Sequence, residues 1–245
     1  MGILNNKPNR YMTTISSNLQ AVNARIAAAC GVAGRDPATV RLLAVTKTWP
    51  AASVRAAAAA GQHAFGESYV QEAVPKQAAL ADLDLEWNFI GPLQSNKTRP
   101  VAENFAWVHS IERLKIAERL SDQRPAHLPP LNVCVQVNVS GEASKSGCAL
   151  AAAPALCHAV AALPHLRLRG LMAIPELTEE SALADSLTRR RFARLRELRD
   201  ALAAEGLPLD TLSMGMSHDL EAAIMEGATI VRVGTAIFGE RPTTT

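Results

Sequence analysis

Arg41-Leu42-Leu43-Ala44-Val45-Thr46-Lys47 is an apolar run of strand length that ends on a lysine. A buried strand ordinarily finishes in a turn residue, so an ammonium at this end needs a physical reason. Two readings are open. In the first, the lysine stem lies along the protein and its charge reaches water. In the second, the amine stands at the mouth of a parallel barrel, where it condenses with an aldehyde. The rest of the chain favours the second.

Downstream of this stretch, short apolar runs alternate with helical ones. Strand-like segments follow at His63–Gly66, Trp87–Gly91, Ala106–His109, Asn132–Val139, Leu166–Ala173, Thr211–Met214 and Thr229–Gly234. Helical spacing separates them, over about 53–60, 68–80, 95 onward, 112–120, 149–163, 181–204 and 219–225. Eight strand–helix units predict a closed (β/α)₈ TIM barrel. No Gly-x-Gly-x-x-Gly follows the first strand, which argues against a dinucleotide-binding sheet. Upstream, Ile15, Leu19, Val22 and Ile26 share a helical face from about Tyr11 to Cys30, and Gly31, Gly34 and Asp36-Pro37 end that helix. It is expected to pack across the floor or side of the barrel. The whole chain, 1–245, reads as a single domain, with the barrel over about 40–240 and residues 1–10 flexible.

The bulk numbers exclude several function classes. Hydrophobic residues make up 48% and charged residues 20% of 245, and the formal net charge is +2, so no global nucleic-acid signature exists. Arg189, Arg190, Arg191, Arg194, Arg196 and Arg199 gather on one helix, but Glu197 and Asp200 interleave them, as on a solvated outer helix. The alternative, a nucleic-acid or protein-binding face, rests on those arginines alone. Cys30, Cys134, Cys148 and Cys157 form no Cys-x-x-Cys pair, which suits a reducing compartment. The polar N-terminus lacks a signal-peptide core, and no run approaches the roughly 20 apolar residues of a membrane span. A cytoplasmic protein is expected. Six scattered histidines without a His-x-x-x-His pair suggest no metal site.

In such a barrel the active face is built from the C-terminal strand ends. Those ends present Lys47, Gly66-Glu67, Gly91, Asn138, Met172, Ser213-Met214-Gly215-Met216-Ser217, and Arg232 with Gly234-Thr235. Ser217 falls at the expected N-cap of the next helix, with Asp219 in its first turn; this is an anion site or plain capping. Gly234-Thr235 closes the eighth strand, and loops after strands seven and eight commonly bind phosphate in barrels. Ile230, Arg232 and Gly234 share one strand face, which turns Arg232 into the barrel mouth. It either pairs with a carboxylate such as Glu226 or Glu240, or donates to a ligand. A lysine, a phosphate cup and a buried arginine together suggest pyridoxal 5′-phosphate. Lys47 would form the Schiff base, and Arg232 would donate to the pyridine nitrogen. Glu67 either orients the site or pairs with a loop cation.

Several motifs carry a resemblance. They are Leu43-Ala44-Val45-Thr46-Lys47-Thr48, Phe65-Gly66-Glu67, Phe89-Ile90-Gly91-Pro92-Leu93-Gln94-Ser95-Asn96-Lys97, Gln136-Val137-Asn138-Val139, Gly170-Leu171-Met172-Ala173-Ile174-Pro175, Leu212-Ser213-Met214-Gly215-Met216-Ser217, and Val231-Arg232-Val233-Gly234-Thr235-Ala236-Ile237-Phe238-Gly239. In this order they resemble the YggS/PROSC pyridoxal phosphate homeostasis proteins, which are similar to the barrel domain of alanine racemase. The resemblance covers about Leu42 to Arg241. It implies a mostly monomeric, cytosolic protein that carries or buffers pyridoxal 5′-phosphate, with delivery to apo-enzymes as a hypothesis and no established turnover. Carried over, Lys47 is the covalent anchor, Ser217, Gly234 and Thr235 hold the phosphate, and Arg232 faces the ring nitrogen. Met214 and Asn138 complete the expected cofactor-binding set.

Three positions depart from the family pattern: Ser68 for asparagine, Asn88 for histidine, and Ile111-Glu112-Arg113 for Val-Asp-Arg. The alternative activity is an amino-acid racemase or related enzyme using the same cofactor. A bifunctional racemase has an additional β domain and a tyrosine base. Here only Tyr11 and Tyr69 exist and the chain ends at Thr245, so a carrier is expected. Lys97 or Lys145 would be the candidate to take the aldehyde during release.

Overall fold

The structure, a computed structural model, describes residues 10–141, 146–175 and 182–240, without the side chains of 10–12 and 182–185. Among them the strands are β1 (Arg41–Val45), β2 (Ala64–Glu67), β3 (Glu86–Phe89), β4 (Trp107–Ile111), β5 (Leu131–Asn138), β6 (Cys148–Ala149), β7 (Leu166–Met172), β8 (Thr211–Ser213) and β9 (Ile230–Val233). Hydrogen bonding runs β4-β3-β2-β1-β9-β8-β7-β5, and a further β4–β5 pairing closes the ring. All the pairings are parallel. This is the expected eight-stranded barrel. The two-residue β6 pairs only with the end of β5 and lies outside the ring.

The helices are α1 (Arg10–Val32), α2 (Ala51–Ala59), α3 (Val70–Ala78), α4 (Thr98–Asn104), α5 (Leu114–Gln123), α6 (Ala153–Ala161), α7 (Ala182–Ala204), α8 (Leu220–Met225) and α9 (Thr235–Phe238). Strand alternation sorts the side chains. Leu42 and Ala44 join the large apolar cluster under the helices, whereas Leu43 packs with Ala64 and Ile230 inside the ring. With a period of two, Lys47 shares the inward face of Leu43, and Thr46 shares the outward face of Ala44.

Helix α1 lies along the side of the barrel. Its apolar stripe of Ile15, Leu19, Val22 and Ile26 is buried, at about 1.5–3 kcal/mol for each side chain fully removed from water. Its polar residues reach α8 and α9. Arg25 Nε donates to Glu221 at 2.8 Å, and Asn18 Nδ2 donates to the Ile237 carbonyl at 2.9 Å. The helix therefore braces the two elements that follow β8 and β9.

The boundaries move by a few residues, and one shift matters. Helix α8 begins at Leu220 with Asp219 in the N-cap position. Ser217 is thus not the N-cap; it sits two residues earlier, in the preceding turn. The Arg-rich helix is α7. Arg189 and Arg196 both bond the nearly buried Glu226, and Arg199 pairs with its neighbour Asp200. These partners take Glu226 away from Arg232, and Arg191 on the same helix is buried, so the expected solvated face does not extend to all six arginines. Among the described residues no helix is long and apolar enough to cross a membrane. The expected flexibility of residues 1–10 falls almost wholly outside the described residues, as does Lys145.

Candidate functional site

A cleft of about 260 Å³ opens at the C-terminal mouth of the barrel. Lys47 enters it from the end of β1, Arg232 from β9, Ser217 and His218 from the turn before α8, and Gly234 and Thr235 from the turn before α9. Five of the seven sequence-predicted residues therefore meet in one place. Two do not line it. Met214 follows Ser213 on the opposite strand face and is fully buried in the cluster beneath the helices. Asn138 ends β5, where its Oδ1 accepts from the Gly141 amide at 3.0 Å, so it caps a turn. Lys97 is also outside the lining.

The two turns owe their shape to glycine at two points. Gly215 has φ 95°, and a Cβ there would stand 2.6 Å from Ala223 Cβ. A Cβ on Gly234 would meet the Val45 carbonyl at 3.2 Å, so the turn lies against β1 just below Lys47. Arg25 Nη2 donates to the Ser217 carbonyl at 3.0 Å and fixes the first turn from behind. Asp219 Oδ1 accepts from the Met216 amide at 2.5 Å. That amide is consequently not available to an anion, which corrects the expectation of free amides throughout this turn. The Ser217 hydroxyl and the start of α9 remain, since the first amides of a helix have no partner within it. Trp49 packs on Phe238 with ring centroids 5.8 Å apart and forms an apolar wall of the cleft. Its position after β1 gave no sequence signal for this role.

Arg232 is buried, and its bonded acceptors are neutral. Nη1 donates to the Ser213 carbonyl at 2.6 Å and to Ser213 Oγ at 2.8 Å; Nη2 donates to the Ala173 carbonyl at 2.9 Å. Neither Glu226 nor Glu240 pairs with it among the described residues. Burial lowers its pKa to about 10, opposed by the Asp219 charge, and it stays cationic at neutral pH. Three of its five N–H donors are committed to these acceptors, and Arg232 lines the cleft.

Beneath Arg232 runs a chain of polar groups that sequence reasoning missed, buried from Ser213 through His109 to Asn88 and reaching the surface at Glu86 and Arg41. Ser213 Oγ lies 2.7 Å from His109 Nδ1, and His109 Nε2 lies 3.0 Å from Asn88 Oδ1. Asn88 Nδ2 donates to Glu86 Oε1 at 2.9 Å, and Glu86 pairs with Arg41. Because Asn88 Oδ1 only accepts, the hydrogen-bond pattern assigns the proton to His109 Nε2, and Nδ1 accepts from the serine hydroxyl. Burial, reinforced by the Arg232 and Arg41 charges, holds the His109 imidazole well below its usual range and therefore neutral. Asn88, one of the departures from the family pattern, is a link in this chain.

Behind Lys47, Glu67 is buried and faces the helices. Its Oε1 accepts from Lys76 Nζ and from Thr46 Oγ1. Its partner is thus a cation, but one on helix α3 and not the loop cation of the sequence reading. The other departures have structural contacts. Glu112 Oε2 accepts from the Gly147 amide at 3.2 Å, and the Ser68 backbone presses against Gly91.

Residues 17–242 match the family described as alanine racemase, N-terminal domain. A pyridoxal phosphate homeostasis protein of Pseudomonas aeruginosa PAO1 is 68% identical over 230 residues, covering 94% of this chain and 97% of that one. The chain belongs to the YggS/PROSC family. A family member named pyridoxal phosphate homeostasis protein in Escherichia coli K12 is 53% identical over 238 residues, covering 94% of this chain and 98% of its own. PipY of Synechococcus elongatus PCC7942, solved with pyridoxal phosphate bound, superposes with a TM-score of 0.80 at 38% identity. That match covers 92% of this chain and 100% of PipY. The same family accounts for the barrel, since the matched span begins inside α1 and ends past α9.

Proposed function

We propose that this protein binds pyridoxal 5′-phosphate as a Schiff base on Lys47 and serves vitamin B6 homeostasis as a carrier. The supporting observation is the single cleft in which an amine, a cationic donor and two small-residue turns converge. The donor set fits that cofactor. When bound, it supplies an aldehyde that condenses with amines and a pyridine ring that draws electrons.

Each residue then has a role. Ser217, Gly234 and Thr235 hold the phosphate by hydroxyl and helix-terminal amides. Lys47 holds the aldehyde carbon. Arg232 donates to the ring nitrogen and has no acceptor for the N–H of a protonated ring, so the nitrogen stays unprotonated and a weak electron sink. That property favours holding the cofactor over turning over amino acids. Met214 supports the β8 turn from the core, and Asn138 supports the β5 turn. Both act at a distance from the cofactor. We place the protein in the cytoplasm as a monomer that delivers the cofactor to apo-enzymes.

A two-base racemase would need a second proton donor opposite Lys47. Besides Lys47 and Arg232, His218 is the titratable side chain at the cleft among the described residues. The test pairs two assays on purified protein loaded with pyridoxal 5′-phosphate. Transfer to an apo-enzyme is expected, with no exchange of amino-acid α-hydrogen for deuterium. Deuterium exchange that disappears in Lys47→Ala would replace the carrier by an enzyme.

A further inference from the structure

Helix α3 grips the main chain on both sides of Lys47. On the N-terminal side, the Thr46 carbonyl accepts from Lys76 Nζ at 2.9 Å, and Thr46 Oγ1 donates to Glu67 Oε1 at 2.7 Å. The Thr46 amide donates to the Gly66 carbonyl at 2.9 Å. Lys76 and Glu67 form a buried ion pair, with 6% and 0% of their side chains exposed. On the C-terminal side, Thr48 stands in the left-handed region at φ 69°, and among described non-glycine residues it is alone there. Its amide donates to Glu72 Oε2 at 2.9 Å. Glu72 and Lys76 are one helical turn apart on α3, so one rigid element holds both flanks.

Two features indicate a role beyond stability. A β-branched residue at positive φ is strained and persists only where its surroundings over-determine it. A buried ion pair adds little stability on balance, and here the pair leaves Glu67 Oε2 buried without a partner. Both costs are borne beside the one lysine in the cleft. A lysine stem has four rotatable bonds, so its amine is only as well placed as its Cα.

We propose that Glu72, Lys76 and Glu67 are positioning residues that fix the Lys47 backbone and thereby set how slowly the aldehyde is released. The inference rests on Lys47 being the anchoring amine. A fixed backbone keeps the amine at a high effective concentration next to an aldehyde held by the phosphate turns and Arg232. A loosened flank lowers that concentration and leaves the phosphate contacts as they were.

The test uses full-length wild type, Glu72→Ala and Glu72→Gln. Glu72 is exposed, so the fold is retained. The first readout is hydrogen exchange of the Thr48 amide without cofactor. It is expected to speed up by at least about tenfold in Glu72→Ala and to return towards wild type in Glu72→Gln, whose amide oxygen accepts the same bond. The second is release of pyridoxal 5′-phosphate to a hydroxylamine trap, followed by visible absorbance. The trap nitrogen adds to the Schiff-base carbon, its two protons pass to the lysine nitrogen, the bond from that carbon to the lysine nitrogen breaks, and the cofactor leaves as its oxime with Lys47 as the free amine. Release is expected to rise about fivefold or more in Glu72→Ala and to stay within about twofold in Glu72→Gln, with inorganic phosphate affinity unchanged in all three. Unchanged release alongside a wild-type Schiff-base band, or unchanged Thr48 exchange, overturns the proposal alone. Absence of that band in the wild type overturns the Lys47 reading and the proposal with it.

Discussion

Replacing Ser213 by alanine removes one oxygen and cuts the polar chain inside the barrel in two. Ser213 Oγ accepts from Arg232 Nη1 at 2.8 Å and donates to His109 Nδ1 at 2.7 Å, with all three residues buried. A bond to a charged group contributes about 1.5–3 kcal/mol and a neutral one about 1 kcal/mol. The sum is a loss of about 2.5–4 kcal/mol, and no solvent discount applies at these positions. For a domain of this size that lowers Tm by roughly 5–15 °C. The assay is denaturant unfolding of the cofactor-free protein, in a double-mutant cycle with His109→Leu. Once His109 is gone the serine has less to lose, so the two losses should fall short of additive by at least about 1 kcal/mol. Ser213→Cys, a weaker donor of similar size, should lie between serine and alanine. A Ser213→Ala loss below about 0.5 kcal/mol, or strict additivity in the cycle, would refute the chain as drawn.

His109 should make stability pH-dependent. Its folded pKa lies below the unfolded value of about 6.5, so below that pH the unfolded chain binds the extra proton. Stability should then fall with acidification by up to about 1.4 kcal/mol per pH unit. The Glu67 carboxyl, pushed up by burial, acts in the opposite sense, so the difference between wild type and His109→Gln in urea titrations at several pH values isolates the histidine. Arg25→Ala frees the Ser217 turn from α1 and should weaken inorganic phosphate binding several-fold by calorimetry. Because its ion pair with Glu221 is exposed, it should cost less than about 1 kcal/mol of stability. Gly170→Ala places a Cβ 1.8 Å from the Thr211 carbonyl oxygen across the β7–β8 pairing. It should cost more than about 3 kcal/mol or prevent folding, seen by circular dichroism.

The barrel was legible because each buried parallel strand is a short apolar run, and Arg41–Val45 or Asn132–Val139 needs no partner to be recognised. The elements that escaped are those without a period: two-residue β6 and four-residue α9. Lys47, Ser217, Arg232, Gly234 and Thr235 were readable from their places at strand ends and from the family motifs. What lies behind them was not. Nothing local links Arg25 to Ser217, 192 residues away, or His109 to Ser213, 104 residues away. Glu67 was visible as a strand-end carboxylate, but its choice of Lys76 depends on which face of α3 meets the barrel. Met214 was misjudged by one position of alternation: Ser213 faces the arginine, and its neighbour therefore faces the core.

The central claim is that one lysine of this chain anchors the cofactor. The direct measurement is borohydride reduction of the protein after addition of pyridoxal 5′-phosphate, followed by peptide mass mapping. A single reduced adduct on the peptide containing Lys47, absent in Lys47→Ala, is the predicted result. An adduct spread over surface lysines, or none, would return Lys47 to an ordinary strand-end cation and contradict the site built here.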